Sequence, residues 1–225
     1  MSIKTVHFFA DPCCPWTWNT SRWLVEAAEM AGVDIVWRTL CLAELNKDRE
    51  VSEHFRPKLT CSRRMARLLE ALRAEGRNDE MKAMFTAYGA RVHHDDHDPG
   101  DDLITACATE SRVDLAFTTD AVNDASWDPA ITASVTEAME LAGPDVGSPI
   151  IAVPELGRGF FGPIVSPPPT GKDALALWNV LEASFALPTF FELKRGRRDG
   201  VAFGEPLIAG EVEFRFVGAL IRNHF

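Results

Sequence analysis

Asp11-Pro12-Cys13-Cys14-Pro15-Trp16-Thr17-Trp18 joins two segments of opposite character. Before it, Lys4-Thr5-Val6-His7-Phe8-Phe9-Ala10 is an apolar, β-prone run with the length of a buried strand. After it, Trp16 to Ala31 carries Trp18, Leu24, Ala27, Ala28 and Ala31 at helical spacings. A proline is tolerated in the first turn of a helix because its missing N–H would have no intrahelical partner. Cys14 is therefore predicted to stand where a strand ends and a helix begins. Unpaired N–H groups and the positive end of the helix dipole favour a thiolate there. A free cysteine is more often buried packing material. That reading holds for Cys13, Cys41, Cys61 and Cys107, whereas the strand–Cys-Pro–helix setting reverses it for Cys14.

Composition narrows the class. With 225 residues, 46% hydrophobic and 25% charged, the chain has the make-up of a globular protein able to fill a core. Its formal charge of −10 argues against nucleic acid or an anionic membrane as a partner. No apolar run approaches the ~18 residues of a membrane span. Met1-Ser2-Ile3-Lys4 lacks the apolar core of a signal peptide, so a cytoplasmic, reducing location is expected. Five cysteines make no disulfide framework, and all five are expected reduced. No Cys/His spacing suits zinc. The cluster His93-His94-Asp95-Asp96-His97-Asp98 runs into Pro-Gly-Asp-Asp and reads as a solvated loop rather than a metal site.

Outward from the opening stretch, Val33–Leu40 is a second strand, and the Ala31-Gly32 connection makes a right-handed βαβ unit. Leu42–Asp48 reads as a loop. Helices follow over Glu53–Arg73, from Asn78 to Ala90, after Asp101 or Asp102, and over Leu115–Val122, with Ser52 and Asn78 as caps. No strand is predicted between Leu42 and Trp127. Asp128-Pro129 opens another helix, with Asp128 as its cap and Pro129 at its first position, and this helix stops at Gly143-Pro144. Ser148–Val153 and Gly159–Ile164 form a hairpin, and Thr170 caps a closing helix with Ala174, Leu177, Trp178, Leu181 and Phe185. The order β-α-β, helices, α, β-β, α is that of an α/β thioredoxin-like fold, a central mixed sheet flanked by helices with an all-helical insertion. Residues 1–42 and 128–198 would form the thioredoxin-like domain and 43–127 the helical insertion. Residues 199–225 alternate like strand and have no place in that topology.

These features carry a resemblance. Asp11-Pro12, Cys14-Pro15-Trp16, Trp18, Thr20-Ser21-Arg22-Trp23, Leu42-Ala43, Leu45-Asn46, Gly89, Arg91, His93, Asp145-Val146-Gly147, Pro149, Phe160-Phe161-Gly162-Pro163 and Phe190–Arg195 together resemble the DsbA-like branch of thioredoxin-fold oxidoreductases. The pattern is closest to the mycothiol-dependent nitroreductases of actinobacteria and spans roughly Lys4 to Arg197. The resemblance implies that Cys14 is a nucleophile forming mixed disulfides with a low-molecular-weight thiol, mycothiol or glutathione. It implies that Pro149 is a cis-proline facing Cys14, with Ser148 offering backbone groups to a bound thiol or peptide. Pro15, Trp16, Trp23, Asn46 and His93 would line the thiol or substrate pocket. Trp23 on a helix beside a sheet is as readily core, and His7 reads as a core histidine.

One departure decides the chemistry. The family pattern is Cys-Pro-Trp-Cys, whereas this chain reads Cys14-Pro15-Trp16-Thr17. An intramolecular Cys-x-x-Cys disulfide cannot form. Thr17 can still hydrogen-bond the thiolate, leaving a monothiol whose mixed disulfide is resolved by an outside thiol. Cys13, adjacent to Cys14, is badly placed to do so. The implied partners are a small thiol and a small-molecule or protein mixed disulfide, acting on a monomer or homodimer without metal. Two other classes fit the pattern: a kappa-class glutathione transferase or 2-hydroxychromene-2-carboxylate isomerase, in which the bound thiol is the reagent, and a non-catalytic binding protein.

Overall fold

A computed structural model describes residues 2–197 and 199–206. The elements are β1 (Thr5–Ala10), α1 (Pro15–Ala31), β2 (Asp34–Thr39), α2 (Leu42–Leu45), α3 (Arg56–Ala74), α4 (Asn78–His93), α5 (Asp101–Glu110), α6 (Leu115–Asn123), α7 (Asp128–Ala142), β3 (Ile150–Val153), β4 (Arg158–Phe161) and α8 (Gly171–Phe185). The sheet order is β2-β1-β3-β4. β1 and β2 run parallel, with Phe8 opposite Trp37, while β3 is antiparallel to both β1 and β4. This is the thioredoxin-like mixed sheet that the sequence predicted.

Alternation along β1 distributes the helices over the two faces. Val6, Phe8 and Ala10 point to one face, where Trp18 and Leu24 of α1, Met65 and Leu68 of α3, Phe85 of α4 and Trp178 of α8 complete a single core. Phe9 points to the other, beneath Ile131, Val135 and Ala138 of α7. His7 shares that second face, its Nδ1 3.8 Å from the Glu137 carboxylate. The first core is aromatic at its centre: the Phe8 and Trp37 rings meet edge-on at 5.3 Å, and Trp37 lies 4.9 Å from Phe85. Among the described residues no strand lies between β2 and β3, and α3–α5 pack against the same core as α1.

Local expectations fail where a polar side chain has a tertiary partner. Asn78 does not cap α4; Arg77 holds that position. The Asn78 side chain instead accepts from Trp37 N–H at 2.9 Å and donates to the Ile35 carbonyl at 3.1 Å. It thereby satisfies the exposed edge of β2. Asp128 is likewise not a cap but grips Arg67 through both carboxylate oxygens, at 2.7 and 2.9 Å. The loop read over Leu42–Asp48 begins with the short helix α2, because Asp11 reaches across to its first N–H. Of the strand-like C-terminal stretch, residues 207–225 lie outside the described residues. Residues 199–206 form no strand; Ala202 accepts from Asn19 of α1, and Phe203 packs on His93.

Candidate active site

Cys14 is the N-cap residue of α1, in extended conformation, with Pro15 in the first turn. Its carbonyl accepts the first helical bond from Trp18 N–H at 2.9 Å, and its own N–H donates to the Asp11 carbonyl at 3.1 Å. The loop is held from below by the Asp11 carboxylate, which is 1% exposed. Asp11 Oδ1 accepts from Cys13 N–H at 2.8 Å, while Oδ2 accepts from Leu42 N–H at 2.8 Å and from the Ser62 hydroxyl. One buried carboxylate thus joins the cysteine loop, α2 and α3. Burial pushes its pKa up, and these donors pull it back.

The ionisation of Cys14 differs from expectation. The residue is 7% exposed, and burial raises its thiol above the ordinary range. Hydrogen bonding from the Thr17 hydroxyl and from the N–H groups of Thr17 and Trp16 opposes this, and the nearby Asp11 carboxylate adds to the rise. Helix-start donors are present as the sequence implied, yet desolvation outweighs them. The donor set suits an anionic sulfur, either that of Cys14 or that of a thiol bound beside it.

Thr17 is fully buried and lies 2.7 Å, hydroxyl to hydroxyl, from Ser148. When Thr17 donates to an anionic Cys14 sulfur, its oxygen is left to accept from Ser148, a relay from Ser148 through Thr17 to Cys14. The Ser148–Pro149 peptide is cis, as are Gly162–Pro163 and Ser166–Pro167. The Pro149 carbonyl accepts from Gly162 N–H at 2.9 Å. Of the residues expected around Cys14, Thr17 and Ser148 are therefore linked directly, and Pro149 follows Ser148 in the chain.

The expected pocket residues separate. Trp16 is partly exposed, with the Arg197 guanidinium 4.8 Å over its ring. Trp23 is fully buried, and its indole N–H donates to the Ala174 carbonyl at 3.0 Å. It is a core residue tying α1 to α8, not a pocket wall. Asn46 closes α2 by donating to the Leu42 carbonyl at 2.8 Å. It lines a depression of about 490 Å³ with Arg49, Arg63, Arg64 and Arg67, whose lining does not include Cys14, Thr17 or Pro149. His93 does reach the cysteine loop: its Nε2 lies 2.9 Å from the Pro12 carbonyl and therefore carries the proton. Burial pulls its pKa down to about 4, so the ring is neutral near pH 7.

Several contributors were missed. His94 accepts from the Trp18 indole N–H at 3.1 Å, so two histidines of the cluster, not one, support α1. Phe203 lies 5.4 Å from His93 and 5.5 Å from His94, ring to ring. Asn19 donates to the Val165 and Ala202 carbonyls at 3.0 and 2.9 Å, fastening the linker after β4 and the segment after α8 to α1. Buried polar residues within an apolar helix, such as Asn19 and Thr20, were the available sign that other backbone packs there.

Known proteins share this fold. The model of the Rv2466c-like family, mycothiol-dependent nitroreductase Rv2466c, matches residues 13–195. The uncharacterized protein Rv2286c of Mycobacterium tuberculosis is 27% identical over 196 residues, covering 86% of this chain and 82% of that protein. Among solved structures, the probable DsbA oxidoreductase SCO1869 from Streptomyces coelicolor superposes with a TM-score of 0.55 at 15% identity, covering 87% of this chain and 95% of that one. The cytosolic disulfide reductase DsbM from Pseudomonas aeruginosa does so with a TM-score of 0.51 at 18% identity, covering 80% and 98%. These structures establish the DsbA-like thioredoxin fold. With the family model covering most of its length, the chain belongs to the Rv2466c-like family of mycothiol-dependent nitroreductases.

Proposed function

We propose that the protein is a thiol-disulfide oxidoreductase of monothiol type, with Cys14 as its nucleophile and a low-molecular-weight thiol, mycothiol in the first instance, as co-substrate. The observation that carries this reading is the hydroxyl relay. Where the family pattern has its second cysteine, Thr17 presents a hydroxyl that bonds Cys14 and is bonded in turn by Ser148, beside cis-Pro149. In the first step the Cys14 thiolate attacks a disulfide RS–SR′, forming Cys14–S–S–R and releasing R′S⁻, which takes up a proton. In the second, an outside thiolate attacks the sulfur of R, forming a new small disulfide and returning Cys14 as thiolate. Thr17 stabilises the anionic sulfur in both steps, His93 holds the loop carbonyl of Pro12, and Asp11 fixes the loop backbone. Small electrophiles or nitro compounds are the further substrates that family membership favours, and the cytoplasm is the compartment that keeps such a thiol reduced.

The test is mass analysis of the intact chain after incubation with mycothiol disulfide. A single adduct on Cys14, removed by free mycothiol and absent from Cys14→Ser, supports the reading. No adduct on folded wild-type protein refutes it. Burial of Cys14 favours one second reading, a transferase or isomerase of kappa-class type in which the Thr17 and Ser148 hydroxyls orient the thiolate of a bound cofactor. That reading predicts non-covalent binding and activity that survives Cys14→Ser.

A further inference from the structure

Cys13 and Cys14 face different surroundings. Cys14 is hydrogen-bonded by Thr17 at the start of α1, whereas Cys13 enters the core, its sulfur 3.7 Å from the Tyr88 hydroxyl of α4. From α3, the Cys61 sulfur reaches the same hydroxyl at 2.6 Å. The two thiols are also near enough to shift each other's ionisation in opposite directions. Two thiols from segments far apart in sequence thus meet at one phenol, directly behind the nucleophile's loop.

We propose that Cys13 and Cys61 are a second redox site, a buried dithiol that a small hydroperoxide closes to a disulfide linking the Cys14 loop to α3. The roles follow from the hydrogen bonds. The Cys13 thiol donates to the Tyr88 oxygen, which leaves the Tyr88 proton for the Cys61 sulfur; contact with Cys13 and Tyr88 lowers the Cys61 pKa against the cost of burial, while contact with Cys61 and burial raise Cys13. Cys61 is the attacking sulfur and Cys13 the resolving one. Cys61 thiolate attacks the hydroperoxide ROOH; the O–O bond breaks, RO⁻ leaves and takes the proton lost by Cys61, and Cys61 becomes a sulfenic acid. The Cys13 sulfur then attacks Cys61, its proton leaving with the hydroxide as water. In sum, two thiols and ROOH give one disulfide, ROH and water. Both thiols are buried, 5% exposed for Cys13 and 4% for Cys61, which favours an oxidant as small as a hydroperoxide. No step passes through Cys14, so the site stands or falls apart from the monothiol reading.

The test uses the full chain carrying Cys14→Ser, treated with hydrogen peroxide under native conditions, alkylated, and digested with trypsin without reduction. Trypsin places Cys13 in peptide 5–22 and Cys61 in peptide 59–63. The expected product is those two peptides linked, with Cys41 and Cys107 still alkylated. Added Cys61→Ser abolishes the link, and Tyr88→Phe slows its formation roughly tenfold by removing the donor to the Cys61 sulfur. Cys14→Ala carries the same test if the serine variant folds poorly. Recovery of Cys13 and Cys61 both alkylated from folded, peroxide-treated protein overturns the proposal, as does linkage of Cys61 to Cys107.

Discussion

Replacing Thr17 with valine keeps the branched shape of a fully buried side chain and removes one hydroxyl. That hydroxyl has two partners, Ser148 at 2.7 Å and the Cys14 sulfur. A hydrogen bond to a charged acceptor contributes roughly 1.5–3 kcal/mol. At about 1.4 kcal/mol per pKa unit, its loss raises the Cys14 thiol by about one to two further units. Burial already holds that thiol above the ordinary range, so near neutrality the thiolate fraction falls by about 10- to 100-fold. Loss of the bond to Ser148 costs roughly 1 kcal/mol of stability as well. The assay is the rate of Cys14 alkylation by iodoacetamide as a function of pH, followed by mass spectrometry, with the unfolding midpoint in urea measured in parallel. Thr17→Ser keeps the hydroxyl and should retain most of the wild-type profile. Coincident pH profiles for wild type and Thr17→Val would show that the Thr17 hydroxyl serves Ser148 alone, and would remove it from the reaction.

Three other expectations rest on separate features. A Cβ on Gly89 would run into the Trp18 ring, so Gly89→Ala should destabilise by about 1–3 kcal/mol through overpacking of α4 on α1; an unchanged urea midpoint would refute this contact. Folded His93 has a pKa of about 4 against 6.5 unfolded, so its contribution is full above pH 6.5 and is lost as pH falls toward 4. That loss reaches about 3 kcal/mol, so between pH 6.5 and 4 wild type should lose stability more steeply than His93→Gln; parallel curves would show that the ring is not its source. Asp11→Asn should lower the Cys14 pKa, because the carboxylate raises it, while costing about 1–3 kcal/mol where a loop N–H meets the amide N–H₂. Faster alkylation together with a lower unfolding midpoint is the expected pair of changes.

The order of elements along the chain and the place of Cys14 were legible because they follow from local signals. Apolar runs, Pro15 after Cys14 and Gly32 after α1 mark element ends whatever the rest of the chain does. Asn78 and Asp128 misled for the converse reason: both have the chemistry of caps, but β2 and Arg67 offered them stronger partners that no local window contains. The state of Cys14 was misread by the same mechanism. Helix-start donors are visible in sequence, whereas the desolvation that opposes them depends on segments far along the chain. Trp23 and Asn46 belong to the motif by position, yet one serves the core and the other closes α2, so a family pattern mixes residues of the site with residues that build it. Asp11 shows the opposite case, a motif residue without an assigned role that organises the loop beneath the nucleophile.

The account turns on whether Cys14 alone carries the mixed disulfide. Intact-mass measurement of wild type and Cys14→Ser after exposure to mycothiol disulfide tests this most directly, with fold integrity checked by near-ultraviolet circular dichroism. The account predicts one mycothiol per wild-type chain, located on Cys14, released by added mycothiol, and none on the variant. An equal adduct on folded Cys14→Ser, or none on wild type, would contradict it.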